Sequence, residues 1–199
     1  NFYLDIAKDR LYVSGQSDRR RRTCQTVMSL IVESIASVIA PVLPHMAEDI
    51  WQNIPYELNE ESVFLRGWPQ VPKEWRDQSL TDLMQQLRAL RVLVNRVLEN
   101  CRANNNLGAA LEASVRIDLK DSDLQKSFNY LDQYGDKEVD IFRDWLLISQ
   151  LQIGGEPWAE IMYSQDNESC LIEVAKARGE KCDRCWHYVT DIVEEIDSG

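Results

Sequence analysis

Apolar positions recur at helical spacing through most of the first hundred residues. Phe2, Tyr3, Ile6, Tyr12 and Val13, with Arg10 on the same repeat, predict a first helix closed by Ser14-Gly15. Ser17 or Asp18 is placed to cap a second helix by accepting from its first N–H groups. That helix opens on Arg19 to Arg22 and carries Val27, Leu30, Ile31, Ser34, Ile35, Val38 and Ile39 at three- and four-residue steps. Pro41 and Pro44 then break the run. Proline cannot continue a helix interior but suits its first position, so Pro41 ends one helix and Pro44 opens the next, with Glu48 and Asp49 in its early turns. This third helix is expected over about 44–54, with Met46, Ile50 and Trp51 facing the core and His45 partly buried or capping. Residues 55–78 read as irregular, with 62–69 an extended segment that packs Phe64 and Trp68 against the helices. A long helix follows over about 79–103, with Leu80, Leu83, Leu87, Leu90, Val94, Val97 and Cys101 on one stripe. It is expected to be the fourth helix of an antiparallel bundle.

After Leu107-Gly108 the period changes. Residues 114–119 alternate, as a strand does. Asp121 or Ser122 can cap a helix through Tyr134, and a second helix is expected over about 139–148 with Phe142, Trp145 and Leu146 inward. Residues 151–153, 158–163 and 170–177 read as short strands. The expected fold class is therefore mainly α: an antiparallel four-helix bundle over 1–106, a small α+β subdomain over 107–177, and a truncated zinc-knuckle motif over 178–199.

Composition adds limits. No apolar run approaches the ~18 residues of a membrane span, and no signal-peptide pattern opens the chain. Five cysteines, three of them lone members of apolar stretches, argue for a reducing intracellular setting and against a disulfide framework. The net charge of −11 is unevenly spread: residues 1–22 carry six basic groups against three acidic, whereas 121–199 carry seven against eighteen. A polyanion would feel that asymmetry locally. The first residue is Asn1 and the last stretch follows an unfinished cysteine motif, so the chain reads as a piece of a longer protein.

Two features carry candidate chemistry. Arginines oppose the dipole at a helix N-terminus, so Arg19, Arg20, Arg21 and Arg22 are either a solvated charged turn or a site for phosphate, which guanidinium forks suit. Arg10, Arg88 and Arg91 could extend such a basic surface. The second feature is Lys181-Cys182-Asp183-Arg184-Cys185-Trp186-His187-Tyr188. Two residues between cysteines let both thiolates reach one tetrahedral Zn²⁺ from a tight turn. A redox pair is the rival, but such pairs sit at a helix N-terminus after a strand. Structural zinc needs four ligands; His187 is too close to Cys185, and no other C-x-x-C exists. Cys182 and Cys185 thus form half a metal site, expected to hold zinc weakly or not at all.

The corner A-P-x-L-P-x-x-A-E-x-I-W at residues 40–51 resembles the anticodon-binding helical domain of class I aminoacyl-tRNA synthetases of the isoleucine, valine and leucine group. Matching stretches run along nearly the whole chain: residues 2–5 and 8–12, 21–27, 61–65 with Trp68-Pro69, 91–95, 98–99 and 107–113. Residues 181–188 resemble the isoleucine-type zinc motif, which favours isoleucine over the valine and leucine types. The resemblance implies a region that docks on the anticodon stem-loop of an isoleucine tRNA. It also implies aminoacylation by a catalytic domain of the same polypeptide, since neither the H-I-G-H nor the K-M-S-K-S ATP signature occurs here. ATP and magnesium would belong to that domain, and zinc to the full-length protein, a monomer of the cytoplasm or of an organelle. The RNA-contacting candidates are Arg10, Arg19 to Arg22, Arg88, Arg91 and Trp186, the last as a stacking plane. The alternatives are the anticodon region of a valine- or leucine-type synthetase, a helical protein-interaction module, whose arginines are only a solvated face, and a thiol protein acting through Cys182 and Cys185.

Overall fold

A short polar side chain before a charged run is enough to start a helix. Asp18 accepts from the backbone N–H of Arg20 and Arg21 at 2.7 and 3.2 Å, so α2 begins at Arg19 and runs to Ile39. The computed structural model describes residues 2–104, 106–132 and 141–190. The chain divides into two units, Asn1–Asp77 and Gln78–Gly199.

In the first unit α1 (Phe2–Tyr12) packs on α2, and α2 packs on α3 (Pro44–Gln52). Pro41 and Pro44 act as the sequence predicts. The amides of Val42 and Leu43 bond Ile39 O at 3.0 and 2.8 Å, closing α2, and Pro44 starts α3 where no N–H is needed. Small residues at the corner, Ala36, Ala40 and Ala47, let the two helices approach closely around buried Trp51 and Val63. The indole N–H of Trp51 donates to Glu60 O at 3.0 Å, which satisfies its polar edge inside the core. Ile50 packs beside it, but Met46 is 54 % exposed, against expectation.

The segment after the corner also departs from the sequence reading. Ser62 caps a single helical turn, α4 (Val63–Arg66), and it is Val63 that is buried. Phe64 and Trp68 stay exposed. The cause is Glu48, whose Oε2 accepts from Ser62 Oγ at 2.9 Å and Val63 N at 3.1 Å and so turns Val63 inward.

The expected four-helix bundle does not form. Its intended fourth helix, α5 (Gln78–Ala103), lies in the second unit and gives its apolar stripe to a sheet. Leu83, Leu87, Leu90, Val94, Val97 and Cys101 are buried in one cluster with Val115, Ile117, Ile172 and Val174. Periodicity located the stripe but could not name its partner. On α2 itself the apolar positions Leu30, Ile31, Ile35 and Val38 are 40–49 % exposed.

The sheet has the order β2-β1-β4-β3, from β1 (Ala113–Leu119), β2 (Gln150–Ile153), β3 (Tyr163–Asp166) and β4 (Cys170–Lys176). β1 runs parallel to β2 and antiparallel to β4, so it is mixed. Asp121 caps α6 (Ser122–Asp132) by accepting from Asp123 and Leu124 N–H, and α7 (Ile141–Leu146) leads to β2. The expected strand at 158–163 is absent; β3 starts where that segment ends. Tyr134 and Val139 fall outside the described residues.

Register sorts the two faces. Val115 meets Leu151 and Val174, and Ile117 meets Ile153 and Ile172, all on the face toward α5. Ser114, Gln150 and Ala175 form one row of the other face, and Arg116, Gln152 and Glu173 the next. Arg116 is nevertheless 3 % exposed. Its Nη1 donates to Glu173 Oε2 at 2.6 Å, Nε to Gly154 O at 3.1 Å and Nη2 to Gly155 O at 2.8 Å. One guanidinium thus ties β4 and the turn after β2 across the polar face.

Candidate nucleic-acid interface and cysteine knuckle

The arginine run has a built foundation. Asp18 holds α2 open at its first turn, and the two amide bonds keep its carboxyl below the usual carboxylate range. Arg20 reaches back to Asp18 Oδ2 at 3.4 Å, and Arg21 donates to Ser14 O at 3.1 Å. These two guanidiniums therefore brace the α1–α2 connection. Arg19 and Arg22, one helical turn apart, are exposed on one side of the helix. Thr23 and Thr26 donate their hydroxyls to the backbone carbonyls of Arg19 and Arg22 at 2.9 and 3.0 Å. The structure thus separates a run of four into two bracing and two outward residues, which the sequence alone does not do.

Arg10 is half-buried on α1, and its Nε has no hydrogen-bond partner among the described residues. Nearby, Tyr3 donates to the sulfur of buried Cys24 at 3.4 Å. Burial and that bond push the phenol up to about 12, although its ring is 38 % exposed. Arg88 is exposed and Arg91 half-buried on α5, in the second unit with Trp186. The RNA candidates are thereby split between the units: Arg10 and Arg19 to Arg22 in the first, Arg88, Arg91 and Trp186 in the second.

The cysteine motif folds as a knuckle between two short strands, β5 (Glu180–Lys181) and β6 (Tyr188–Val189). Cys182 N–H donates to His187 O and Trp186 N–H to Cys182 O, each at 2.9 Å. Trp186 closes the turn at φ 65°, a left-handed conformation uncommon outside glycine. Backbone N–H groups of Cys185 and Arg184 point at the Cys182 sulfur and hold that thiol below its ordinary value. Such N–H groups stabilise a thiolate, the form that binds metal. A cation stands over the exposed indole: Lys181 Nζ lies 5.5 Å from the Trp186 ring centre. The knuckle is tied to the sheet, because Tyr188 N–H donates to Ser149 Oγ at 2.8 Å and Ser149 Oγ bonds Leu111 O. Among the described residues no group of three or more His, Cys, Asp or Glu could hold a metal. The donor set fits half of a zinc site: Cys182 and Cys185 would hold the ion, two ligands of four.

Sequence reasoning missed the hollow beside the knuckle. A cavity of about 800 Å³ opens on the polar face of the sheet, floored by Ser114 and Gln152 and walled by Trp158. Exposed Arg178 is among the residues that line it. The signal was faint: small residues at Ser114 and Ala175 on a face otherwise lined with long polar side chains.

Among the described residues no helix is long and apolar enough to cross a membrane. Residues 1–117 match the family described as the anticodon-binding domain of tRNA ligase, and residues 179–195 match the zinc finger found in FPG and IleRS. The chain is 64 % identical to the isoleucine--tRNA ligase of Synechococcus sp. (strain CC9311) over 99 % of its own length and 20 % of the relative's. The corresponding protein of Prochlorococcus marinus (strain MIT 9313) is 64 % identical over 96 % of this chain and 20 % of its own length. That of strain MIT 9515 is 51 % identical over 99 % and 20 %. The chain therefore spans about a fifth of the curated relatives it matches.

Proposed function

This chain belongs to the family of anticodon-binding domains of tRNA ligases, and on that premise we propose that it holds the anticodon stem-loop of an isoleucine tRNA for an isoleucine–tRNA ligase. The observation that carries the reading is the pair of outward guanidiniums, Arg19 and Arg22, on a helix whose first turn is fixed by Asp18. Contacts of this kind go to backbone phosphates, so they set the position of the RNA and are blind to sequence. Base discrimination would fall to stacking and edge contacts on the single-stranded loop. The exposed Trp186, with Lys181 over its ring, supports a stacking role.

The ATP-dependent attachment of isoleucine belongs to the parts of the relatives outside this chain's match, in the same polypeptide. Zinc would join Cys182 and Cys185 there with two further ligands, fixing the knuckle as a structural element. The parent enzyme acts as a cytoplasmic monomer. Each phosphate released from its counterions steepens the salt dependence of binding. Binding of the 199-residue chain to an isoleucine anticodon stem-loop, compared with an unrelated hairpin over a salt series, tests the reading. A preference for the cognate loop and a linear fall of log K with log salt are expected. In Arg19→Ala/Arg22→Ala the slope should drop by about two, one per lost phosphate contact. Equal binding of both hairpins with no salt slope would refute it.

A further inference from the structure

We propose that the cavity on the polar face of the sheet receives one unstacked base of the bound RNA loop. The inference rests on the reading above, and it places a recognition pocket where neither the arginine run nor the cysteine knuckle lies.

The cavity is preorganised. Trp158 Nε1 donates to Gln152 Oε1 at 2.8 Å, and Gln152 Nε2 donates to Gly154 O at 3.0 Å, so the indole wall is fixed through the amide. The Gly154–Gly155 turn is held in turn by Arg116, itself clamped to Glu173. On the other side Gln150 binds the backbone of Arg178 twice, accepting from its N–H at 3.0 Å and donating to its carbonyl at 2.8 Å. That double bond fixes the rim from which Arg178 projects. The indole wall and the backbone at the rim are thus held before binding, which lowers the ordering cost of association.

The lining chooses the ligand class. Pockets of about 300–1,000 Å³ take small ligands or parts of larger ones. An indole wall favours a flat ring, the polar floor at Ser114 offers hydrogen bonds to a ring edge, and exposed Arg178 favours an anion. A flat heteroaromatic ring attached to a phosphate at the mouth is a nucleotide. Exposed Glu160 also lines the cavity; its carboxylate repels phosphate and can accept from a base N–H, while Arg178 attracts the phosphate. A loop base on an RNA strand meets these demands, and so does a free mononucleotide.

The test uses the 199-residue chain and the anticodon stem-loop with 2-aminopurine placed at each loop position in turn. One position should change its fluorescence on binding, and Trp158→Leu should abolish that change while lowering affinity roughly five- to a hundred-fold, the range of one lost base stack. Trp158→Phe should keep both, which separates lost stacking from misfolding. Arg178→Ala, a surface change, should lower the salt slope by about one. If the Trp158→Leu and Arg178→Ala variants bind like the parent with an unchanged fluorescence pattern, while Arg19→Ala/Arg22→Ala still flattens the slope, the pocket is refuted and the anticodon reading stands. If the parent chain shows no preference for the stem-loop, both fall. Displacement of the loop by AMP or GMP at equal concentration would overturn the assignment to an RNA base in favour of a free nucleotide.

Discussion

Removing one partner of the Arg116–Glu173 pair should cost the second unit far more than any surface salt bridge. Both side chains are buried, at 3 % and 5 % exposure, and the 2.6 Å contact is the shortest of the bonds that Arg116 makes. A buried pair owes little net stability to its attraction, because desolvation offsets it, but the charge left after one partner goes is uncompensated. Arg116→Met strands the Glu173 carboxylate among β1 and β4 and frees the Gly154–Gly155 turn. The expected loss is about 3–5 kcal/mol, a large part of the ~5–15 kcal/mol that holds a typical domain. Glu173→Gln should cost less, since Arg116 keeps both glycine carbonyls and the Asp118 carboxylate at 3.5 Å. The assay is amide hydrogen exchange of β1 and β4, which follows each unit separately in a chain of two units. Every ~1.4 kcal/mol speeds exchange through opening tenfold, so Arg116→Met should raise it on the order of a hundred- to several-thousand-fold. The double variant Arg116→Met/Glu173→Met should recover much of that loss, because no charge is left behind. Exchange in Arg116→Met within a few-fold of the parent, or a double variant as weak as the sum of the singles, would refute the reasoning.

Three further outcomes follow from the first unit and the knuckle. Asp18→Ala should cost about 1 kcal/mol of helix stability, seen in the thermal melt by circular dichroism, while Asp18→Asn should keep most of the cap. The folded phenol of Tyr3 titrates near 12 against an ordinary 10, so the stability it contributes is complete below pH 10 and is lost as pH rises toward 12; Tyr3→Phe should remove that loss from an alkaline titration of helicity. A Cβ on Gly179, at φ +94°, would sit 2.0 Å from Val189 O, so Gly179→Ala should cost the hairpin more than about 2 kcal/mol and strip exchange protection from the Cys182 and Trp186 amides.

The parts of the fold legible in the sequence are those set by local chemistry. Pro44 marked its helix start, the pairs Ser17/Asp18 and Asp121/Ser122 each contained the residue that caps, and alternation found β1. What failed was partner choice. The stripe on α5 fits a helix or a sheet equally, and only the strands beyond residue 113 decide between them. Phe64 and Trp68 looked like core because they are large; Val63 took the place because Glu48 binds its amide, a contact made at a distance of fifteen residues. The site was legible to the level of residue type. That Arg20 and Arg21 brace while Arg19 and Arg22 face outward depends on where Asp18 and the Ser14 carbonyl lie, and spacing does not show that. Arg116, in an alternating strand, gave no sign of burial.

The register of the central strand bears on how the chain is made. Val115 on β1 needs Val174 on β4, so the sheet stays incomplete until Lys176 has been synthesised. At roughly 5–20 residues per second, the interval from Leu119 is about 3–11 s. The helical unit through Asp77 has all its own contacts by then, since its packing is between neighbours in sequence. Through the same interval β1 has α5, already made, as a cover for the apolar face of Val115 and Ile117. A ribosome stalled between Leu119 and Lys176 would therefore carry a folded arginine-bearing unit ahead of a sheet still waiting for β4, the strand that joins β1 to β3.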